Sequence, residues 1–283
     1  MNQPFRFCLN TATIRSRKLP ITDSIEIAAK AGYDAIEPWI EELDQYKASG
    51  GELGRLRSII KDSGLTVEGA IGFFEWLSDD DERRRKGLDE ARRNMEMLAL
   101  IGGKCVAAPP YGSTDVTNLD LDRAAERYRA LLEVGDEFGV TPLLEVWGFS
   151  RTISRLSEAL YVAAQADHPR ACVLADVYHL YKGGSGFNGL RFINGGALPV
   201  FHVNDYPVQP GRESIGDADR VYPGDGVAPL GAIFDALLSN GFKGVLSLEL
   251  FNKTYYHNEP LEIAKTGIAK LKEAVSRRHS NAL

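Results

Sequence analysis

Several features that mark specialised chains are scarce or missing here. Among 283 residues there are three cysteines, Cys8, Cys105 and Cys172. They lie far apart, and no pair has the spacing of a metal knuckle or a redox motif. A disulfide scaffold is excluded, and since each thiol opens an apolar, strand-like run, all three are expected as reduced core residues of a cytosolic protein. No run of eighteen apolar residues occurs, which argues against a membrane-spanning helix. The opening MNQPFRFCLNTATIRSR lacks the apolar stretch of a signal peptide. Excess charge is small: the formal net value of −6 gives no positive field toward nucleic acid or anionic membrane. The basic run Arg83-Arg84-Arg85-Lys86 is flanked by acidic residues 79–82 and by Asp89-Glu90, the pattern of a solvated helix start. No GxGxxG follows the first apolar segment, so a dinucleotide-binding sheet has no support.

What is present is the balance of a globular chain with a sizeable core, 44% hydrophobic and 25% charged residues. Short apolar runs alternate with amphipathic stretches at helical spacing. Strands are expected at Phe5 to Thr13, Ala35 to Ile40, Leu65 to Phe73, Cys105 to Ala108, Thr141 to Val146, Cys172 to Val177, from Val200, and at Val245 to Leu250. Helices are expected from a cap at Thr22 or Asp23 to Gly32, through Leu53 to Gly64, and over Asp80 to Ile101, Asp120 to Phe138 and Ile153 to Ala166. A weaker one covers Phe187 to Ile193, and two more run over Pro229 to Asn240 and Glu259 to Ser276, with a polar tail behind. Eight strand–helix units at a mean repeat of about 34 residues match an α/β (β/α)8 barrel, a TIM barrel, formed as a single domain over residues 1–283. Runs such as VLAD, LLEV and LSLEL are what parallel strands buried on both faces require.

In such a barrel the strand C-termini and the loops behind them form the active face. Polar residues at the expected strand ends include Asn10, Glu37, Glu68, Glu145, Asp176, His202, Asp205 and Glu249. One strand-end glutamate alone is best explained as a salt bridge or cap. Four consecutive strands delivering Glu145, Asp176, His202 and Glu249 are not, because burying three carboxylates demands a counter-charge. A divalent cation supplies it, and three carboxylates with one imidazole suit Mn²⁺, Mg²⁺ or Co²⁺, with Zn²⁺ also accommodated.

The stretch 200–226, VFHVNDYPVQPGRESIGDADRVYPGDG, carries an apolar strand ending in His-x-x-Asp into a loop rich in Gly, Pro, Asp and Arg. With FCLNTAT, LLEVWG, LADVYHLYKGG and LSLELF, it resembles the xylose isomerase-like barrel superfamily of sugar isomerases and epimerases over nearly the whole chain, its inosose isomerase branch in particular. That resemblance implies metal ligation by Glu145, Asp176, His202 and Glu249. It also implies substrate contact by His179 and Arg220, and proton transfer beside a carbonyl by Glu145 and Glu249. Trp39, Glu68, Tyr111, Trp147 and Lys182 are expected around the pocket.

The resulting expectation is a metal-dependent isomerase or epimerase of a small sugar or cyclitol ketone, cytoplasmic, with no nucleic-acid or membrane partner and with homo-oligomerisation left open. A dehydratase or lyase on the same fold is the alternative. An abasic-site endonuclease shares the barrel but gathers extra histidines, whereas His168, His257 and His279 lie at or near helices, away from the ligand set. A binding-only module needs no pair of proton-transfer carboxylates, and a class I aldolase needs a strand lysine that no expected strand interior holds.

Overall fold

The computed structural model describes residues 4–277. The polar tail and His279 lie outside the described residues. Eight parallel strands form in chain order: β1 (Arg6–Asn10), β2 (Ala35–Glu37), β3 (Thr66–Val67), β4 (Cys105–Ala108), β5 (Thr141–Glu145), β6 (Val173–Asp176), β7 (Val200–Val203) and β8 (Val245–Leu248). Each pairs with its sequence neighbour and β1 pairs with β8, giving the order β3-β2-β1-β8-β7-β6-β5-β4. The remaining seam, β3 to β4, is bridged just past β3. Ala70 N donates to Cys105 O at 3.1 Å, and Ala107 N donates to Ala70 O at 2.9 Å.

The helices are α1 (Ile21–Ala31), α2 (Ile40–Ala48), α3 (Leu53–Asp62), α4 (Asp81–Leu100), α5 (Leu121–Phe138), α6 (Leu156–Gln165), α7 (Val177–Lys182), α8 (Leu230–Ser239) and α9 (Pro260–Arg277). Asp80 and Asp120 cap α4 and α5 by accepting first-turn amides. Gly32 ends α1 in the left-handed region at φ 88°, where a side chain would be strained.

Alternation along the strands sorts the core into two layers. Cys8, Ala35, Cys105, Leu143, Cys172, Leu174, Val200 and Val245 pack together inside the barrel. Phe7, Leu9, Phe201, Val203, Leu246 and Leu248 belong to the larger cluster shared with the helices. The three thiols are buried and unpaired. The same phase turns Asn10, Glu37, Glu145, Asp176, His202 and Glu249 inward at the C-terminal mouth, with Asp176 opposite His202 and His202 opposite Ser247 in register.

Three expectations need correction. The third strand does not run unbroken to Phe73. It leaves regular pairing at Glu68-Gly69, where only glycine fits since a β-carbon would stand 2.5 Å from Glu37 Oε1, and it pairs with the second strand again only as a bridge between Trp39 and Ile71. Residues 187–193 are not an α-helix but a short 3₁₀ segment at Asn188–Phe192, and the helix after β6 is α7. Helix α2 was not anticipated, because only Ile40 and Leu43 of it are buried, too few for a visible apolar stripe.

Helix α7 is held by two close backbone approaches. A β-carbon on Gly183 would lie 1.9 Å from Ser154 O, and one on Gly148 would lie 2.3 Å from His179 O. Gly183 has an ordinary helical φ, so its constraint is contact alone. Gly183→Ala is therefore expected to destabilise by about 1–3 kcal/mol through overpacking. At roughly 2–4 °C per kcal/mol for a chain of this size, calorimetry should show the loss directly.

Candidate metal and substrate site

The site is assembled from the inward residues at four strand ends. Asp176 closes β6 and caps α7: Oδ1 accepts from His179 N at 2.9 Å, while Oδ2 accepts from Asn204 Nδ2 at 2.8 Å. His202, central in β7, is fully buried. Its Nε2 lies 3.0 Å from Glu37 Oε2, which also accepts from Asn10 Nδ2 at 2.9 Å and Ser247 Oγ at 2.7 Å. Its Nδ1 has no hydrogen-bond partner and stands 3.4 Å from Glu249 Oε2 and 3.9 Å from Asp176 Oδ2. Ligand atoms of Asp176, His202 and Glu249 all lie within 4.8 Å of one another. An imidazole nitrogen left unbonded at the focus of two buried carboxylates has the chemistry of a metal ligand. Its other nitrogen is fixed by a carboxylate in the manner common to metal-bound histidines.

Glu145, the fourth ligand implied by resemblance, is not in that cluster. It is buried and lines the same cavity. Burial, reinforced by Glu249 and Asp176 and opposed by His202, raises its pKa to about 8. Burial also raises the pKa of Asp176, against the pull of Arg220. For Glu249 burial acts in the same direction, but His202 and Arg220 overcome it and hold the group at about 2. Burial, and then the Arg220 charge, keep His179 well below the usual imidazole range.

Arg220 changes the charge balance expected from sequence, in which no neutralising group other than a cation was foreseen. Its guanidinium, only 1% exposed, sits among the carboxylates. Nη1 donates to Glu249 Oε2 at 2.8 Å and Asp176 Oδ2 at 3.3 Å; Nη2 pairs with Asp217 and lies 3.2 Å from His179 Nε2. The plane stacks over Tyr178 at 4.3 Å. Arg220 thus partly neutralises two of the carboxylates, while His202 Nδ1 and Glu145 are left without it.

The cavity above this floor has a volume of about 480 Å³. Trp39, Trp147, His179 and Arg220 line it, as expected. Three other expected pocket residues, Glu68, Lys182 and Tyr111, do not. Glu68 lies at the opposite end of the barrel, where Arg6 Nη1 holds it at 2.8 Å and Lys104 Nζ at 2.8 Å, both from strand starts. Lys182 points its ammonium to Glu213 O at 2.9 Å. Tyr111 is outside the lining and packs on Phe73 at 5.4 Å. Asp205 turns away from the mouth, since its odd position in β7's alternation faces outward, and accepts the amides of Tyr206, Gly224 and Ala228 to tie the long loop together.

Sequence reasoning named Glu37 and Asn10 as strand-end polar residues without giving them a role, and it missed Asn204 and Ser247. The available signal was phase: each is an even number of residues from an inward-facing one. The aromatic wall of Phe73, Phe149, Phe251 and Tyr256 left no such signal, because loop residues have no period.

The chain matches the family described as xylose isomerase-like TIM barrel over residues 25–274. It is 27% identical to an inosose isomerase of Bacillus licheniformis, over 96% of this chain and 98% of that one. It is 23% identical to a 3-dehydroshikimate dehydratase of Pseudomonas putida, covering 89% of this chain but 39% of that protein. Among solved structures, the IolI protein with a bound zinc atom superposes with a TM-score of 0.87 at 23% identity, covering 96% of this chain and 99% of that one.

Two outcomes follow from the geometry. Glu37→Gln removes the charge that orients His202, and metal affinity should fall about 10–100-fold in a competition titration while the fold persists. The second concerns pH. In metal-free protein Glu145 keeps its proton up to about 8, against an ordinary value of 4.5. The folded state then binds more protons between those values, so the stabilisation is complete below the lower one and disappears as pH rises through the upper. Denaturant titrations of chelator-treated protein at about pH 5 and about pH 9 should show a loss that Glu145→Gln reduces by on the order of a few kcal/mol.

Proposed function

This chain belongs to the xylose isomerase-like TIM barrel family, and we propose that within it the protein is a metal-dependent isomerase or epimerase of a small polyol ketone, of the inosose type. The observation that carries the proposal is the unbonded His202 Nδ1 facing Asp176 and Glu249 at the floor of a cavity that Glu145 also lines. Asp176, His202 and Glu249, with Glu145, would hold the ion. The oxygen-rich donor set suits Mn²⁺, Mg²⁺ or Co²⁺, and Zn²⁺ also fits it. When bound, such an ion supplies Lewis-acid polarisation of a ketone and its neighbouring hydroxyl.

The chain's own residues do the rest. Glu145 and Glu249 approach the cavity from β5 and from the end of β8, three strands apart around the ring, and so flank a substrate resting between them. One takes the proton from the carbon beside the carbonyl and the other returns one, which interconverts isomers or inverts a centre. A positioned base of this kind contributes about 10²- to 10⁴-fold. Arg220 lines the cavity, and its guanidinium, held by Glu249 and Asp176, presents a cation to the substrate's oxygens. His179, at the cavity wall, meets the same substrate from β6. Among the described residues no helix is long and apolar enough to cross a membrane, and we assign the substrate to the cytoplasmic pool of small polar metabolites.

The dehydratase similarity supports a second reading, in which the same proton abstraction is followed by loss of a β-hydroxyl. Product analysis separates the two by release of water.

Metal-loaded protein incubated with inososes in D₂O should place deuterium at the carbon next to the carbonyl. Chelation should stop the exchange, and Mn²⁺ or Co²⁺ should restore it. Glu145→Gln and Glu249→Gln should each slow it at least about a hundredfold with metal still bound. Near wild-type exchange by both metal-loaded variants would overturn the assignment.

A further inference from the structure

The cavity has more aromatic surface than a bare polyol can use. Phe251 packs on Trp39 at 6.2 Å, Trp39 on Phe73 at 5.6 Å, and Phe73 on Trp147 at 5.9 Å. Trp147 continues to Phe149 at 5.0 Å, and Phe149 to His179 at 5.7 Å. These rings come from behind β8, β2, β3, β5 and β6 and form one continuous arc above the carboxylate floor. Part of the arc is uncovered, with Phe73 36% and Phe149 47% exposed. Scattered exposed rings need no explanation, but a contiguous set around a functional cavity marks a binding surface.

The wall is also poor in free hydrogen-bonding groups. Trp39 Nε1 is engaged by Asn10 Oδ1 at 3.1 Å, and Tyr256 Oη donates to Ala12 O at 2.7 Å. A hydroxyl leaving water against this wall would lose its partners without replacing them, so the polar end of a substrate belongs on the floor, with Glu145, Glu249, His179 and Arg220. The volume of about 480 Å³ lies within the ~300–1,000 Å³ range of sites that enclose drug-sized ligands. Two cations border the same space. Arg15 stacks over Trp39 at 4.1 Å, and neither it nor Lys253 forms an ion pair with another described residue. A cation presented with aromatic faces favours an electron-rich ring over an alkyl chain.

We propose that the substrate is a keto-polyol bearing an aryl substituent, its ketone end on the carboxylate floor and its ring stacked along Phe73, Trp147 and Phe149. This rests on the isomerase reading of the floor and adds the identity of the substrate's outer half. The arc is continuous with the floor at both ends, through His179 on one side and, on the other, through Phe251, which lies beneath the Arg220 guanidinium at 5.0 Å. A single molecule therefore spans both.

The test uses Mn²⁺-loaded full-length protein and a matched pair of probes, methyl and phenyl 3-keto-β-D-glucopyranoside, which differ only in the outer group. Calorimetric titration gives Kd, and deuterium incorporation from D₂O is followed in parallel. Phenyl should bind at least tenfold tighter than methyl. Phe149→Ala and Phe73→Ala, both truncations of exposed side chains, should each reduce that ratio severalfold. Equal affinity for the two probes overturns the proposal, as does a phenyl preference that survives both substitutions undiminished. If instead the two variants dissociate an oligomer in light scattering and leave the ratio unchanged, the arc is an interface between copies and the proposal fails. The outcomes for the floor are separate. Exchange on bare inososes without a phenyl preference removes this inference and leaves the isomerase reading intact, whereas a phenyl preference without exchange on any ketone removes the isomerase reading alone.

Discussion

Four carboxylates buried within one barrel mouth, Glu37, Glu145, Asp176 and Glu249, repel one another through a medium that screens poorly, and most of the surrounding structure is arranged around that repulsion. The protein offers two answers. Arg220, buried with them, bridges Glu249 and Asp176 and brings its own counter-ion, Asp217. His202 occupies the other side, with one nitrogen anchored by Glu37 and the other unbonded between the same two carboxylates. The groups respond unequally. Glu249, next to Arg220 and His202, is held as an anion, while Glu145, remote from the guanidinium, is pushed toward its neutral form.

The supporting shell accounts for the rigidity of this arrangement. Glu37 accepts from Asn10, His202 and Ser247, on β1, β7 and β8. Asn10 also donates to Glu249 at 3.1 Å, so one amide ties two of the carboxylates. Asn204 fixes Asp176 and, through Oδ1, accepts the Tyr178 amide at 3.0 Å, which sets the start of α7 and with it His179. Side chains mounted on strands and locked by second partners hold catalytic geometry better than loop residues do. The loop that carries Arg220 is itself fastened by Asp205, whose carboxylate accepts three backbone amides. The outer cavity is built differently. Its aromatic rings stand on loops behind five strands and hold one another by edge and tilted contacts, a surface that can vary while the floor stays fixed.

The sequence by itself determined the barrel, the strand order of the polar residues at its mouth and their common orientation. Those properties follow from period: two residues per repeat along each strand, and about one strand–helix unit per 34 residues around the ring. Glu145, Asp176, His202 and Glu249 could be placed at the mouth because their flanking residues, such as Leu144 and Val146 or Leu248 and Leu250, had to face the helices. Only the tertiary structure decided which polar groups meet. Glu68 also ends a short apolar run, yet Arg6 and Lys104, 62 and 36 residues away in sequence, hold it at the far end of the barrel. Arg220 lies in a loop with no repeat to read, so its entry among the carboxylates and the outward turn of Asp205 were not legible. Of the aromatic arc, Trp39, Trp147 and His179 were expected at the pocket, whereas Phe73, Phe149 and Phe251 were not legible, since they stand on separate loops brought together only by the closure of the ring.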